Sequence, residues 1–481
     1  MLMSTISIDN LIRNKAEKLC AISERIWEFA ELRFQEKRSA ALLADVLEEE
    51  GFDVERGIAG IETAFVANFG AGKPVISFLG EFDALSDLSQ EAGVIEQQAI
   101  VSGGSGHGCG HNLLGTSALG AALAVKEYMQ ENGLSGTVRY YGCPGEEGGS
   151  GKTFMAKEGV FDDADAAITW HPFTHSGVQR AETLANYQVY FKFKGKSAHA
   201  AGGPHLGRSA LDAVELMNIG TNFLREHVIQ DARLHYAITN AGGVSPNVVQ
   251  PEAEVLYLVR APETEQVESI YQRVVKIAKG AALMTETKLE ITFDKACSGF
   301  IRNTVLEQVM QNEVERVRVP EYSAEELDFA RGIQTTLSEE DISSDKRSIL
   351  QIIGKDAALW EEEMETSPLL TTPIPYQDID NFQYGSTDVG DVSRITPTIQ
   401  FHAACFAIGT PLHTWQVVSQ GKTPLAQKGM LYASEVMAAT ALSLFDKPEQ
   451  LKAAKFELQK RLGPNGYTSP IPDGIKPTIL A

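Results

Sequence analysis

Residues 75–85 read VISFLGEFDAL, an apolar run that breaks into an acidic loop. A continuous apolar start of this kind suits a strand buried on both faces, as in a sheet covered by helices. Two further stretches repeat the form: GTVRYYGCPG (136–145) and DAAITWHP (165–172). Between the first two strands, residues 112–131 read as a helix ending near Asn132-Gly133. Strands that alternate with helices predict an α/β layer architecture. Each of the three strands runs into a chemically loaded loop: GEFDA, CPGEEGG and WHP. Open α/β sheets carry their sites at such strand ends.

Outward from this centre, residues 9–31 and 36–51 read as amphipathic helices, the second closed by Gly51. Downstream, the pattern changes at about residue 186. NYQVYFKFKG alternates strictly, with Tyr187, Val189, Phe191 and Phe193 on one face. That predicts a half-buried strand. A helix (about 208–228), two strands (233–239 and 254–261), a helix (about 263–284) and a last strand (288–296) follow. The order β-α-β-β-α-β is that of a ferredoxin-like unit. The chain therefore divides into a discontinuous catalytic domain, 1–186 and 298–481, and an inserted domain, 187–297. Residues 300–365 are charged and mostly helical, while 339–347 (EEDISSDKR) and TTPIPYQDID (371–380) are expected as surface loops. An apolar strand returns at 396–409, a long helix covers 423–446, and the tail from Gly463 is expected as loop. No internal repeat is present.

The 481 residues are 43% hydrophobic and 22% charged, an ordinary globular composition that excludes disordered and collagenous chains. Lys plus Arg number 42 against 64 Asp plus Glu, a net charge of −22. So acidic a chain repels nucleic-acid phosphates and anionic lipid, and neither is expected as a partner. An anionic substrate must then be met by a local cation. The five cysteines, Cys20, Cys109, Cys143, Cys297 and Cys405, are odd in number and irregular in spacing. With no secretory h-region and no apolar stretch long enough for a bilayer, a reduced, cytoplasmic protein is expected.

The densest chemistry lies in GHGCGHN (106–112). Thiolate and imidazole are both transition-metal ligands, and the i, i+2 spacing of Cys109 and His111 in a glycine loop lets both face one ion. His107 competes as a ligand but ranks lower. In CPGEEGGSG (143–151), Glu146 and Glu147 are adjacent carboxylates that repel unless a cation or proton lies between them. One can bind metal while the other carries a proton. His171 and His413 each follow or end a strand; taken singly, either also fits a satisfied core histidine. As a set, Cys109, His111, Glu147, His171 and His413 fall at strand ends of one expected sheet. Five ligands there can hold two divalent ions, with Cys or a carboxylate bridging, and two such ions form a hydrolytic centre. His199 sits in a small-residue turn (KSAHAA) where its ring is accessible.

GEFDAL, GHGCGHN, PGEEGGSG, WHP, KGKSAHAA, SPNVV and GTPLHTW occur in the order found in the M20 family of metallopeptidases and amidohydrolases, and the chain resembles its amidohydrolase branch, which has Cys where other members bridge with Asp. The resemblance implies a zinc-peptidase-like catalytic domain with a mixed central sheet, and an inserted lid and dimerisation domain. It implies Cys109, His111, Glu147, His171 and His413 as metal ligands for two Mn²⁺ or Zn²⁺ ions, and Glu146 as general base. Asp83 matches a residue that orients a ligand imidazole. Glu81 stands where the wider family has a His ligand, and no metal role is assigned to it; Ser386 and Asp388 are assigned none either. His199 matches the group that stabilises the oxyanion in a partner's active site. Asn247 and Arg260 match substrate contacts made across the dimer. The implied activity is hydrolysis of an acyl–amino acid amide, with p-aminobenzoyl-glutamate as expected substrate, by a homodimer or a heteromer with a homologous A-type chain. Competing readings are a related N-acyl-amino acid or dipeptide hydrolase, a Cys109 nucleophile hydrolase, and a partner chain inactive alone.

Overall fold

A computed structural model describes residues 8–354, 357–378 and 381–479. Its strands are, in chain order, β1 (Asp53–Arg56), β2 (Phe65–Ala71), β3 (Val75–Glu81), β4 (Gly136–Cys143), β5 (Ala166–Phe173), β6 (Gly177–Val178), β7 (Ala181–Thr183), β8 (Ala185–Lys194), β9 (Arg233–Asn240), β10 (Glu252–Ala261), β11 (Lys288–Cys297), β12 (Asn381–Gln383) and β13 (Thr398–Ala404). Seven form a mixed sheet in the order β1-β2-β4-β3-β5-β13-β6. The inner four strands, β4, β3, β5 and β13, are mutually parallel, while β1, β2 and β6 pair antiparallel. The expected α/β fold with a mixed central sheet is therefore present. Every residue of β3 and β13 is buried, as their apolar runs require.

One apolar core lies between this sheet and the helices His111–Asn132 and Pro424–Asp446; Leu119, Leu123, Met430 and Met437 are among its fully buried members. A second core joins Leu79, Tyr141 and Ala167 of the central sheet to Tyr187, Phe191, Val255 and Tyr257 of a four-stranded antiparallel sheet, ordered β11-β8-β10-β9. Helices Ala210–Leu224 and Thr264–Thr285 pack on that second sheet, and along β8 buried and half-buried residues alternate as the sequence predicts.

Three expectations are corrected. The helix over 9–31 is two, Ile8–Arg13 and Ala16–Phe29, because a tight turn at Asn14-Lys15 lets Leu11 and Ile12 reach the same core as Leu19, Ile22 and Ile26. The stretch 339–347 is no loop: Ser338 and Asp341 form a capping box that starts the helix Glu339–Ile353. Of its apolar residues only Ile349 and Ile353 are buried, while Asp345 turns inward to accept the Gly409 N–H, so the apolar signal came too late in the segment to reveal it. The strand expected at 396–409 is shorter, covering Thr398–Ala404. Residues 371–378 are irregular as expected, while 379 and 380 of that stretch lie outside the described residues. A further helix, Pro448–Leu462, precedes the tail.

Candidate metal centre

Because the four inner strands run parallel, the ends of β3, β4, β5 and β13 share one edge of the sheet. The loop entering helix His111–Asn132 brings Cys109 and His111 there. Gly110 caps that helix at φ 76°, and a Cβ on it would meet the Pro172 ring at 2.7 Å, so only glycine lets the loop lie against β5. Cys109 Sγ then stands 3.3 Å from His171 Nε2. His171 Nδ1 lies 2.9 Å from the Pro172 carbonyl, an acceptor only, so that nitrogen carries the proton and Nε2 keeps its lone pair.

Asp83 fixes the other half. Its Oδ1 is 3.0 Å from His111 Nδ1, and its Oδ2 accepts the Glu147 backbone N–H at 2.8 Å. One carboxylate thus orients an imidazole and the turn bearing Glu147, the arrangement expected around a metal. That turn is sharp: Glu147 has φ −68° and ψ 86°, and Gly148 follows in the left-handed region at φ 72°. His413 is also left-handed, at φ 63°, held by its N–H donating to the Gly108 carbonyl at 2.8 Å. Its Nε2 lies 3.2 Å from Glu147 Oε1.

Three groups of side chains have ligand atoms within 4.8 Å of one another: Cys109, His111 and His171; Cys109, Glu147 and His413; and Glu81, His111 and Glu146. The first two share Cys109, so one sulfur is within reach of both sets of donors. His111 Nε2 and Glu147 Oε1 are buried, and each faces an ionisable neighbour, Glu81 Oε2 at 3.3 Å and His413 Nε2 at 3.2 Å. All five sequence-predicted ligands are therefore together, and the donor set fits two divalent ions. In the third group Glu81 is already neutralised. Its Oε1 is 2.6 Å from the ammonium of Lys152, a fully buried lysine that also pairs with Asp388 at 2.6 Å. His107 turns away and contacts the Ile26 carbonyl at 3.0 Å.

The adjacent glutamates are driven apart. Burial, with Glu81 and Glu147 nearby, raises Glu146 well above the carboxylate range. Burial also works against Glu147, but the His413 hydrogen bond and the charge of His111 pull it down to about 2. One carboxylate is thus kept ionised, as a ligand must be, and its neighbour is able to hold a proton. Burial, then the His111 charge, lowers His171 to about 4 and keeps it neutral. Burial pushes the Cys109 thiol well up, so its thiolate needs a cation beside it.

His199, Asn247 and Arg260 belong to none of these groups, although Arg260 is near enough to Glu146 to feel its charge. The exposed His199 ring accepts the Ala201 and Gly202 N–H groups at Nδ1, at 3.2 and 3.0 Å, which leaves Nε2 as the outward donor. The Asn247 carbonyl accepts the Ala200 N–H at 2.9 Å, so the two segments form one surface. Arg260 ends β10 with Nη1 3.4 Å from Ser386 Oγ. Sequence reading missed Lys152, the ion-pair role of Asp388, and Arg33 and Glu36. Glu36 is buried and its Oε1 accepts the Gly145 N–H at 2.9 Å. Lysine among glycines and apolar residues in GGSGKTFM was a usable sign; ELRFQEKRS (31–39) spans the gap between two expected helices and carries no such sign.

The profile of Peptidase family M20/M25/M40 matches residues 77–365, the span that carries Cys109, His111, Glu146, Glu147 and His171. The chain belongs to this family. Among M20 relatives, it is 52% identical over 473 residues to the B chain of p-aminobenzoyl-glutamate hydrolase from Escherichia coli (strain K12), covering 98% of both chains. It is 27% identical over 338 residues to the A chain of the hydrolase from the same organism, covering 59% of this M20 chain and 76% of that relative. Its fold matches a dinuclear metal-binding M20 peptidase of Bacillus subtilis with a TM-score of 0.55 and 18% identity, covering 90% and 99% of the two chains.

Proposed function

We propose that this chain is a binuclear metal-dependent amidohydrolase that cleaves p-aminobenzoyl-glutamate to p-aminobenzoate and glutamate. The observation that carries the reading is the pair of ligand groups sharing Cys109, with five donor side chains gathered at one sheet edge. Identity of 52% across nearly the whole of a relative named for that hydrolysis supports the substrate. Cys109, His111 and His171 would hold one ion and Cys109, Glu147 and His413 the other, with Mn²⁺ or Zn²⁺ suiting thiolate, imidazole and carboxylate. Such ions would supply Lewis-acid polarisation of the amide carbonyl and would acidify a bound water. Asp83 holds His111 and the Glu147 turn in place. Glu146 takes a proton from the attacking water and returns it to the departing glutamate nitrogen as the C–N bond breaks.

The inserted domain, residues 187–297, acts as lid and dimerisation unit and presents His199 to a second active site. Its Nε2 donor suits an oxyanion, and its place outside the metal cluster fits action in a partner. Asn247 and Arg260 contact the substrate, Arg260 meeting a glutamate carboxylate. Exposed apolar residues on this domain (Ile219, Phe223, Tyr236 and Ile238) supply a surface for a second chain, and relatives named as the two different chains of one hydrolase favour a homologous A-type partner. Among the described residues no helix is long and apolar enough to cross a membrane, and the five free thiols fit a cytoplasmic place.

Glu146→Ala tests the reading. Turnover of p-aminobenzoyl-glutamate should fall by about 10²–10⁴-fold while bound metal stays at the wild-type level. Full turnover with intact metal would refute the assignment.

A further inference from the structure

The segment Arg33–Glu36 brackets the turn that carries the two glutamates. Glu36 accepts the Gly145 N–H at one end, and Arg33 donates to the Gly148 carbonyl at the other. Between them the Phe34 ring fills the space over the glycines: a Cβ on Gly145 or Gly149 would lie 2.7 or 2.9 Å from it. Phe34 itself is left-handed at φ 58°, an uncommon state for a bulky residue, held by its N–H donating to Glu36 Oε1 at 2.8 Å. The kink turns Arg33 and Glu36 toward the same loop.

Arg33 has a second partner on the inserted sheet. Its guanidinium pairs with Asp294 of β11 at 3.3 Å, and both side chains are buried. Asp294 also accepts from Gln188 of β8 at 2.7 Å, and the Gln188 amide reaches within 3.5 Å of the same Gly148 carbonyl. A buried guanidinium with one carboxylate partner cannot leave it cheaply: an unpaired buried charge costs about 3–5 kcal/mol. The carbonyl next to Glu147 and a strand of the inserted domain are thus held by one planar cation.

We propose that Arg33 is a positioning residue that ties the Glu146-Glu147 turn to the inserted sheet, with Asp294 as its anchor. The inference rests on the functional reading above, because it is the metal ligand Glu147 and the base Glu146 that are positioned. It adds a mechanical consequence: displacement of the inserted sheet pulls on Asp294, Arg33 and the turn together. Lysine cannot replace Arg33, since a point cation lacks the fork that serves carbonyl and carboxylate at once.

The test uses the full chain with Arg33→Gln, Asp294→Asn, both together, and Arg33→Lys. Backbone amide exchange of the 143–151 segment is followed in metal-free protein, and kcat and KM for p-aminobenzoyl-glutamate are normalised to bound metal. Arg33→Gln should speed exchange about tenfold and lower kcat about 10–100-fold, with KM within about twofold. Arg33→Lys should recover only part of the loss. Asp294→Asn should give a smaller effect in the same direction, and the double variant should be no worse than Arg33→Gln. Wild-type exchange and kcat in Arg33→Gln would overturn the proposal, as would a double variant whose losses multiply. Should Arg33→Gln not fold, unchanged loop exchange in Asp294→Asn overturns it equally. If the wild-type chain releases no p-aminobenzoate, the functional reading falls, while loop exchange still decides the role of Arg33.

Discussion

At the scale of single residues, the centre is built from charges that would be untenable alone. Lys152, Glu81 and Asp388 show this most plainly: all three side chains are at most 3% exposed, and each carboxylate lies 2.6 Å from the ammonium. Glu81 occupies a position where the wider family's resemblance implies a histidine ligand, and Lys152 takes up its charge internally. Lys152→Met leaves two buried carboxylates without their cation and should destabilise the chain by about 3–5 kcal/mol, read from the urea midpoint; a change under about 1 kcal/mol by that measure would show the pair to be dispensable. The candidate ligands were legible as a cluster, because Cys109, His111 and Glu147 stand among glycines that have no other evident use. Lys152, Asp388, Arg33 and Glu36 were not. Their partners lie far along the chain, as with Lys152 and Asp388, and no local pattern marks a charge whose counter-ion arrives through folding.

At the scale of elements, parallel pairing does the assembly. The register places His402 of β13 beside His171 of β5, and Glu81 of β3 beside Cys143 of β4, so that residues read separately as strand ends become one edge. Alternating apolar strands and the helix 112–131 were readable because burial on both faces writes itself into every residue. The helix Glu339–Ile353 was not, since its stability comes from a capping box and two late apolar contacts. The β5–β6 corner also sets a pH response. His175 is buried, its Nε2 3.4 Å from His402 Nδ1, and burial, with Arg180 as a lesser cause, lowers it to about 4. The folded state keeps this histidine neutral while the unfolded chain protonates it near about 6.5, so the unfolded state binds more protons between these values. Its contribution is present above about pH 6.5 and is lost as pH falls through about 4, about 3 kcal/mol in all. Urea unfolding from about pH 7 to 4 should show this slope, and His175→Gln should flatten it; an equal slope in both proteins would contradict the assignment.

At the scale of the whole molecule, two sheets share a continuous core while dividing the labour. The central sheet gathers the candidate ligands, and the four-stranded sheet and its loops carry His199, Asn247 and Arg260 and reach the Glu146-Glu147 turn through Asp294 and Arg33. The most direct measurement is release of p-aminobenzoate from p-aminobenzoyl-glutamate by the purified chain, with and without a homologous A-type chain, alongside bound-metal analysis and chelation. The two ligand groups predict about two ions per chain, turnover lost on chelation, and recovery on adding Mn²⁺ or Zn²⁺. Turnover that survives chelation but is abolished by alkylation of Cys109 would contradict the metal centre and make that cysteine the nucleophile.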